Sequence, residues 1–250
     1  MDKAEQPVAL ITGASQGIGK AVAENLLDAG FQVILMARRR DPLQAIAAQW
    51  PKQATALTGD VGDPESVEKI YQTLREIHGR LDVLFNNAGA FMASTEIGDV
   101  SWVDWRRVLQ VNLDGDFLMA RGAFQLMREQ TPGGGRIINN GSISAHAPRV
   151  GSVAYTTSKH AITGLTKSLS LDGRAHNIAC GQIDIGNADT PLAAGIKNGI
   201  AQPDGSLMKE PIMDVAHVAD AVRYMATLPL DANVQFMTVM ATKMPYLGRG

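Results

Sequence analysis

The chain has few of the features that mark exported, membrane-bound or metal-stabilised proteins. It has a single cysteine, Cys180, so no disulfide can form within the chain, and the small apolar neighbours of Cys180 indicate a core residue. Its five histidines lack the spacing of metal ligands, which predicts no metal. No apolar run approaches the ~20 residues that span a bilayer, and the first residues lack a signal-peptide pattern. These absences predict a cytoplasmic protein without membrane contact.

Charge is nearly balanced as well. The formal net charge is −2 and no long basic run occurs, so we expect no binding to nucleic acid. The tightest basic cluster is Arg38-Arg39-Arg40. With 45% hydrophobic and 19% charged residues, the composition is that of an ordinary globular protein, and 250 residues are compatible with one domain.

Short apolar runs alternate with longer amphipathic stretches, the pattern of βαβ units and a parallel sheet. Seven strands are predicted at residues 8–12, 31–37, 54–58, 81–85, 136–140, 177–185 and 234–240. Helices are predicted at residues 17–29, 42–50, 64–78, 153–171 and 214–227, with a long helical stretch over 101–130. The alternation predicts an α/β fold.

The segment 187–212 stands apart from this pattern. It contains Gly195, Gly199, Pro203 and Gly205 and shows little periodicity. A long irregular segment within a compact domain often forms a lid or binding loop, and we predict a substrate loop here. A surface excursion without a role in function is the alternative.

A glycine-rich turn follows the first predicted strand. Thr12-Gly13-Ala14-Ser15-Gln16-Gly17-Ile18-Gly19 has the spacing G-x3-G-x-G and opens the first helix. Such a turn lets backbone N–H groups and the positive end of the helix face a pyrophosphate, and only glycine allows so close an approach. Its position predicts a dinucleotide site.

A tyrosine and a lysine are spaced so that they could act together in proton transfer. Tyr155 and Lys159 are four residues apart on a predicted helix, so their side chains lie on one face. A nearby ammonium stabilises a phenolate and makes the phenol proton available near neutral pH. Alone, such a pair is usually an exposed surface feature. It gains meaning from Ser142, which lies thirteen residues before Tyr155 and directly after a predicted strand.

These motifs occur together in one order: Thr12 to Gly19, Asn86-Asn87-Ala88-Gly89, Asn112, Ser142, and Tyr155 with Lys159. In that order and spacing the chain resembles the short-chain dehydrogenase/reductase family from about Val8 to Val239. The resemblance implies a single domain over residues 1–250 with a Rossmann-type, doubly wound parallel sheet flanked by helices. It also implies a nicotinamide cofactor, a small-molecule carbonyl or alcohol substrate, and a homotetramer or homodimer.

The resemblance also implies roles for these residues. In the family the tyrosine matching Tyr155 gives or takes the hydroxyl proton, and the lysine matching Lys159 also holds the nicotinamide ribose. Ser142 orients the substrate oxygen and is preferred to Ser144 because of the family spacing to the tyrosine. The residue matching Asn112 holds a water that relays protons to the lysine.

Cofactor preference follows from the end of the second strand. This position normally carries an acid that accepts the ribose hydroxyls of NAD, whereas an arginine suits the 2′-phosphate of NADP. Here the chain reads Met36-Ala37-Arg38-Arg39-Arg40, with no acid before Asp41. Guanidinium groups bind phosphate in a bidentate manner. We predict NADP(H) in preference to NAD(H), with Arg38 and Arg39 as phosphate ligands; a solvated basic loop is the alternative.

The chain departs from the family after the sixth strand. Most members carry a Pro-Gly pair there, followed by a threonine that meets the nicotinamide carboxamide. Gly186 and Thr190 match the glycine and the threonine, but Ile185 replaces the proline. The predicted cofactor-binding residues are Gly13, Ser15, Gln16, Gly17, Ile18, Gly19, Arg38, Arg39, Asp60, Val61, Asn87, Ala88, Gly89, Tyr155, Lys159, Ile185, Gly186 and Thr190.

Asp184, an acid within the sixth predicted strand, is either a paired structural carboxylate or a pocket residue. His146, shortly after Ser142, is predicted to be an incidental loop histidine; a pocket residue is the alternative.

The predicted function is that of a ketone or aldehyde reductase, or alcohol dehydrogenase. One alternative is a catalytically silent NADP-binding sensor or scaffold with the same fold, and another is an epimerase or dehydratase. Sensors of this kind typically lose the tyrosine or the lysine, whereas this chain keeps Asn112, Ser142, Tyr155 and Lys159. The substrate itself is not specified by the sequence, because function depends on the site and not on the fold.

Overall fold

The computed structural model describes residues 6–193, 199–202 and 204–247. The strands of this part are β1 (Val8–Thr12), β2 (Gln32–Ala37), β3 (Ala54–Thr58), β4 (Val83–Asn86), β5 (Gly135–Asn140), β6 (Ile178–Ile185), β7 (Ile200–Ala201), β8 (Leu207–Met208) and β9 (Phe236–Val239). Seven of these described strands form one sheet in the order β3-β2-β1-β4-β5-β6-β9. Every neighbouring pair is parallel. This is the Rossmann-type sheet that the sequence predicts.

Helices cover both faces of the sheet. They are α1 (Gly17–Asp28), α2 (Arg40–Ala47), α3 (Pro64–Ile77), α4 (Trp102–Leu109), α5 (Gly115–Glu129), α6 (Val153–Asp172) and α7 (Val215–Thr227). Two helices begin with a capping aspartate: Asp63 accepts a hydrogen bond from the N–H of Glu65 at the start of α3, and Asp214 accepts one from the N–H of Ala216 at the start of α7. No helix in the described ranges is long and apolar enough to cross a bilayer.

The predicted long helix over residues 101–130 is interrupted. Between α4 and α5 the backbone makes a π-helical turn at Gln110–Asp114. A π turn adds one residue to a helical turn and shifts the positions that face the core. The positions that face the core therefore change between α4 and α5.

Alternate residues of each strand supply two separate layers of core. On one face Ile11 and Leu35 pack against α1 and α7, and on the other Leu10 and Ile34 pack against α3 and α5. Cys180 belongs to the second layer, where burial raises the pKa of its thiol to about 12. The prediction of a core cysteine is confirmed.

The parallel sheet determines where a site can form. Because the strands run in one direction, the loops after β1, β4, β5 and β6 leave the sheet at the same edge. The glycine turn, Asn87, Ser142 and Thr190 all follow these strand ends. The topology therefore brings distant parts of the sequence together along one edge of the sheet.

The segment 187–212 is partly structured. Ala188 pairs with Met213, and β7 and β8 form a short antiparallel hairpin that the sequence pattern does not reveal. Residues 194–198 and 203, with Gly195 and Pro203 among them, lie outside the described residues. A lid function for this segment stays a prediction.

Close packing between α3 and α5 requires a glycine. Gly122 of α5 lies against the ring of Tyr71, and a Cβ at this position would overlap the ring carbons. We expect Gly122→Ala to lower the free energy of unfolding by about 1–3 kcal/mol, because the buried Tyr71 cannot move aside without strain. Urea unfolding measures this change.

Gly164→Ala in α6 is the matched control, since a Cβ there meets nothing within 4 Å. Alanine is the better helix former, so this variant should be as stable as the wild type or more stable by up to about 1 kcal/mol. Equal effects of the two substitutions would contradict the packing argument.

Candidate active site

The glycine turn has the shape of a phosphate cradle. Gly13 and Gly17 have φ angles of 66° and 55°, in the left-handed region that favours glycine. A Cβ on Gly19 would overlap the carbonyl oxygen of Gly13. Gln16 precedes α1 without capping it through its side chain, which leaves N–H groups of the first turn for a ligand. The turn therefore fits the pyrophosphate of a dinucleotide.

The end of β2 presents two arginines beside this turn. Arg38 and Arg39 are exposed, and both line the same cleft as the glycine turn. Arg39 donates a hydrogen bond to Gln16 at 2.7 Å. Among the described residues, neither arginine contacts a carboxylate. Their guanidinium groups could therefore bind an added phosphate.

Asp60 and Val61 follow β3 at the same end of the cleft. The Asp60 carboxylate accepts a hydrogen bond from the N–H of Gly62 at 3.0 Å, which fixes the turn. Val61 is buried and presents an apolar surface suited to an adenine ring.

Hydrogen bonds between side chain and backbone join the loop after β4 to β1. The Thr12 hydroxyl accepts from the N–H groups of Asn87 and Ala88, both at 2.8 Å. The Asn87 amide donates to the Thr12 carbonyl at 2.8 Å and accepts from the Asn140 amide at 2.9 Å. These contacts hold the ends of β1, β4 and β5 in fixed register beside the cleft.

Tyr155 and Lys159 lie one helical turn apart at the start of α6, and both line the cleft. The Lys159 ammonium is 5.7 Å from the centre of the Tyr155 ring. Lys159 is buried, and its Nζ donates to the carbonyl of Asn140 at 2.6 Å. Because an ammonium has three donors, the other two stay available for a ligand or a water.

Ser142 is held on both sides. Its N–H donates to Asp184 at 3.0 Å, and its hydroxyl oxygen accepts from the N–H of Ser144 at 3.0 Å. Accepting that bond leaves the hydroxyl proton of Ser142 free to point into the cleft. The rival candidate Ser144 also lines the cleft, but its backbone here serves to orient Ser142.

Asn112 lies in the π turn and is completely buried. Its carbonyl oxygen accepts from the N–H of Ala90 at 2.7 Å, and its amide donates to the Ala90 carbonyl at 3.0 Å and to Ser158 at 3.3 Å. The side chain thereby joins the loop after β4 to α6, on the turn that carries Tyr155 and Lys159.

Beyond β6 the cleft is bordered by Ile185 and Thr190, and Thr190 packs against Gly17 across the glycine turn. Gly186 is explained by packing, because a Cβ there would lie 2.6 Å from the sulfur of Met244 and 2.7 Å from Met240.

One continuous cleft of about 890 Å³ contains most of the predicted residues. This volume is in the range of cofactor and substrate sites. The predicted residues on its wall are Gly13, Ser15, Gln16, Gly17, Ile18, Arg38, Arg39, Asp60, Val61, Asn87, Ala88, Gly89, Ser142, Tyr155, Lys159, Ile185 and Thr190. Gly19, Asn112 and Gly186 support the wall from behind.

Two polar clusters at the site have no signal in the sequence. Arg149 makes a two-fold ion pair with Glu210, with both N–O distances at 2.6 Å, and Asn187 bonds to both residues. His146, predicted to be an incidental loop histidine, contacts Asp184 at 2.9 Å and is not one of the described residues on the cleft wall. Asp184 is buried and also accepts from Gln182 at 2.7 Å, which makes it the paired structural carboxylate.

A buried acid lies one turn beyond Asn112. Asp116 in α5 is 1% exposed, and neither carboxylate oxygen has a hydrogen-bond partner within the described ranges. Burial raises the pKa of Asp116 to about 8, and the Lys159 ammonium partly opposes this rise. No cluster of three His, Cys, Asp or Glu side chains that could hold a metal occurs in the described chain.

The buried acid should make stability depend on pH. An unfolded Asp116 loses its proton near pH ~4, whereas the folded one keeps it to about pH 8, so stability falls as the pH rises between these values. We expect Asp116→Asn to flatten this fall, giving a higher Tm than the wild type at pH 8.5 and a similar Tm at pH 5. Asp172→Asn, at an exposed acid, is the control, and an unchanged pH dependence in Asp116→Asn would contradict the account.

The comparisons with known proteins agree with this geometry. A family model described as short chain dehydrogenase matches residues 7–200. A 3beta-hydroxysteroid dehydrogenase of Mediterraneibacter gnavus is 32% identical over 81% of this chain and 75% of its own length. Sulfoacetaldehyde reductase 2 of Chromohalobacter salexigens is 30% identical over 94% of both chains.

The fold is also that of a solved ketoreductase. A variant of actinorhodin polyketide ketoreductase, solved with NADPH, superposes with a TM-score of 0.85 and 26% identity, covering 96% of this chain and 98% of that one. The sheet order, the cleft and these similarities agree. The chain belongs to the short-chain dehydrogenase/reductase family and is an oxidoreductase acting on alcohol or carbonyl groups.

Proposed function

We propose that this oxidoreductase uses NADP(H) to reduce a ketone or aldehyde, or to oxidise the corresponding alcohol, with Tyr155 as the acid–base residue. The observation that carries the proposal is the joint presence of Ser142, Tyr155 and Lys159 on one wall of the cleft whose other end is the glycine turn. The glycine turn, Asn87 and Lys159 would hold the cofactor. When bound, the nicotinamide supplies or accepts the hydride.

The proton chemistry belongs to the chain itself. Tyr155 donates its phenol proton to the developing alkoxide of the substrate, and the ammonium of Lys159 stabilises the phenolate that remains. Ser142 donates its hydroxyl hydrogen to the same substrate oxygen, in the manner of an oxyanion hole. Since Asp184 and Ser144 hold Ser142 in place, little reorganisation is needed during the reaction.

Phe91 adds a feature that the motifs do not contain. Its ring stacks on Tyr155 with 4.4 Å between centroids and 26° between planes. The stack fixes the direction of the phenol and keeps water from one face of the ring. We propose Phe91 as a positioning residue for Tyr155.

The proposed preference for NADP(H) rests on Arg38 and Arg39. Both are exposed at the cleft beside Asp60, and neither is occupied by a carboxylate in the described structure. The names of the relatives extend from a hydroxysteroid to sulfoacetaldehyde, so they do not select a substrate class for this chain. A homo-oligomer and a cytoplasmic location stay predictions.

The first test removes the phenol oxygen. Tyr155→Phe should keep the stack with Phe91 and the binding of NADPH but lower kcat by about 10²–10⁴-fold, because the proton donor is lost. Oxidation of NADPH followed with a panel of ketones and aldehydes gives kcat, and fluorescence titration gives the Kd of NADPH. Turnover within about tenfold of the wild type would rule out the role of Tyr155.

The second test concerns the cofactor. Arg38→Leu should weaken NADPH by about 10–100-fold and leave NADH nearly unchanged, because a hydrogen bond between charged groups contributes about 1.5–3 kcal/mol. Arg40→Leu is the control, since Arg40 begins α2 and does not line the cleft. Tighter binding of NADH than of NADPH by the wild type would refute the preference.

A further inference from the structure

Three loops bring exposed apolar side chains to the Tyr155 end of the cleft. Phe91 is 46% exposed, Val150 is 55% exposed and Leu207, in β8, is 76% exposed, and all three line the cleft. A single exposed apolar residue needs no explanation, but three around one opening mark a binding surface. We call these three residues the apolar rim.

Two parts of the apolar rim are fixed relative to each other. The N–H of Thr95 donates to the carbonyl of Gly151 at 3.0 Å, and the Ser94 hydroxyl donates to the carbonyl of Val150 at 3.1 Å. Since Phe91 also stacks on Tyr155, the loops that carry Phe91 and Val150 are held together. A preformed apolar surface binds an apolar molecule with little loss of entropy.

Arg149, which precedes Val150 in the chain, is neutralised by an acid. Arg149 lines the cleft, but Glu210 binds its guanidinium on two nitrogens and Asn187 binds it at 3.0 Å. Burial opposes ionisation of Glu210, yet the hydrogen bonds from Arg149 and Asn187 lower its pKa overall. At neutral pH the pair therefore carries no net charge, and a substrate anion in the cleft would meet a guanidinium that a buried carboxylate already binds.

The other arginine at this end is also paired. Arg107 contacts Asp104 at 3.4 Å and donates to the carbonyl of Phe91 at 3.1 Å. At the opposite end Arg38 and Arg39 contact no carboxylate within the described residues. Within the described residues, both arginines near the apolar rim are thus bound to carboxylates, whereas Arg38 and Arg39 are not.

On the basis of the proposed function, we infer that the substrate is an uncharged, largely apolar ketone or alcohol that lies against the apolar rim. Carbonyl compounds that carry a carboxylate or sulfonate are poor substrates, since their charge would lose its water against apolar side chains and arginines that already bind carboxylates. The Arg149–Glu210 pair then favours uncharged substrates and does not bind an anionic group.

The test uses keto acids of about five to ten carbons, each compared with its own methyl ester. The two members of a pair share the ketone and the chain and differ in the charge. With NADPH the wild type should show a kcat/KM at least about tenfold higher for the esters, increasing with chain length. Equal or faster turnover of the acids overturns the inference and leaves the proposed function standing, whereas no turnover of any pair overturns both.

Variants of the apolar rim and of the ion pair test where the substrate preference arises. Leu207→Ser should raise KM for the longer esters by about threefold to thirtyfold with kcat unchanged, and Leu171→Ser, an exposed leucine near the end of α6 and off the cleft, should change neither. Glu210→Gln leaves the charge of Arg149 unbalanced. This variant should raise kcat/KM for the keto acids relative to kcat/KM for their methyl esters.

The double variant Arg149→Gln, Glu210→Gln is neutral again and should restore the preference for esters. Circular dichroism will show whether Glu210→Gln and the double variant fold. If either does not, the inference is tested by the wild-type ratio of kcat/KM for esters and acids and by Leu207→Ser. An unchanged KM for the long esters in Leu207→Ser would overturn the placement on the apolar rim.

Discussion

A path of hydrogen bonds along the carboxyl edge of the sheet connects the glycine turn to Lys159. Thr12 at the end of β1 binds Asn87, Asn87 binds Asn140, and the carbonyl of Asn140 accepts from Lys159 at 2.6 Å. Thr12, Asn87 and Asn140 lie at the ends of three different strands, so the path exists only because the strands are parallel and in register. The glycine turn and the Tyr155–Lys159 pair are therefore held at a fixed separation, as transfer between cofactor and substrate requires.

The two ends of the cleft differ in how their arginines are paired. In the described part of the chain Arg38 and Arg39 have no acidic partner at one end, while Arg149 at the other is bound by the buried Glu210. A guanidinium that already has two carboxylate bonds attracts a further anion only weakly. The same residue type thus serves as a proposed ligand at one end and as a brace between two loops at the other.

The sequence predicted the parts of the fold and site that depend on local pattern. The residues of β1 and β3 match the predicted ranges, and the glycine turn, Ser142, Tyr155 and Lys159 meet in one cleft. The sequence did not reveal contacts between distant residues, such as Arg149 with Glu210 or His146 with Asp184. Charged residues in loops normally face solvent, so their pairing depends on tertiary packing alone. The π turn at Asn112 and the burial of Asp116 have no signal in the sequence pattern.

The central claim is that a hydride passes directly between the nicotinamide and a carbonyl carbon in the cleft that contains Tyr155. The most direct measurement uses NADPH deuterated at C4, with the product alcohol analysed by mass spectrometry and NMR. The account predicts one deuterium per product molecule, on the carbinol carbon and in one configuration, because the cleft fixes both reactants. C4 of NADPH carries two hydrogens, and either can be replaced by deuterium. Direct hydride transfer would be contradicted if neither labelled form gave deuterated product, or if the product carried deuterium in both configurations.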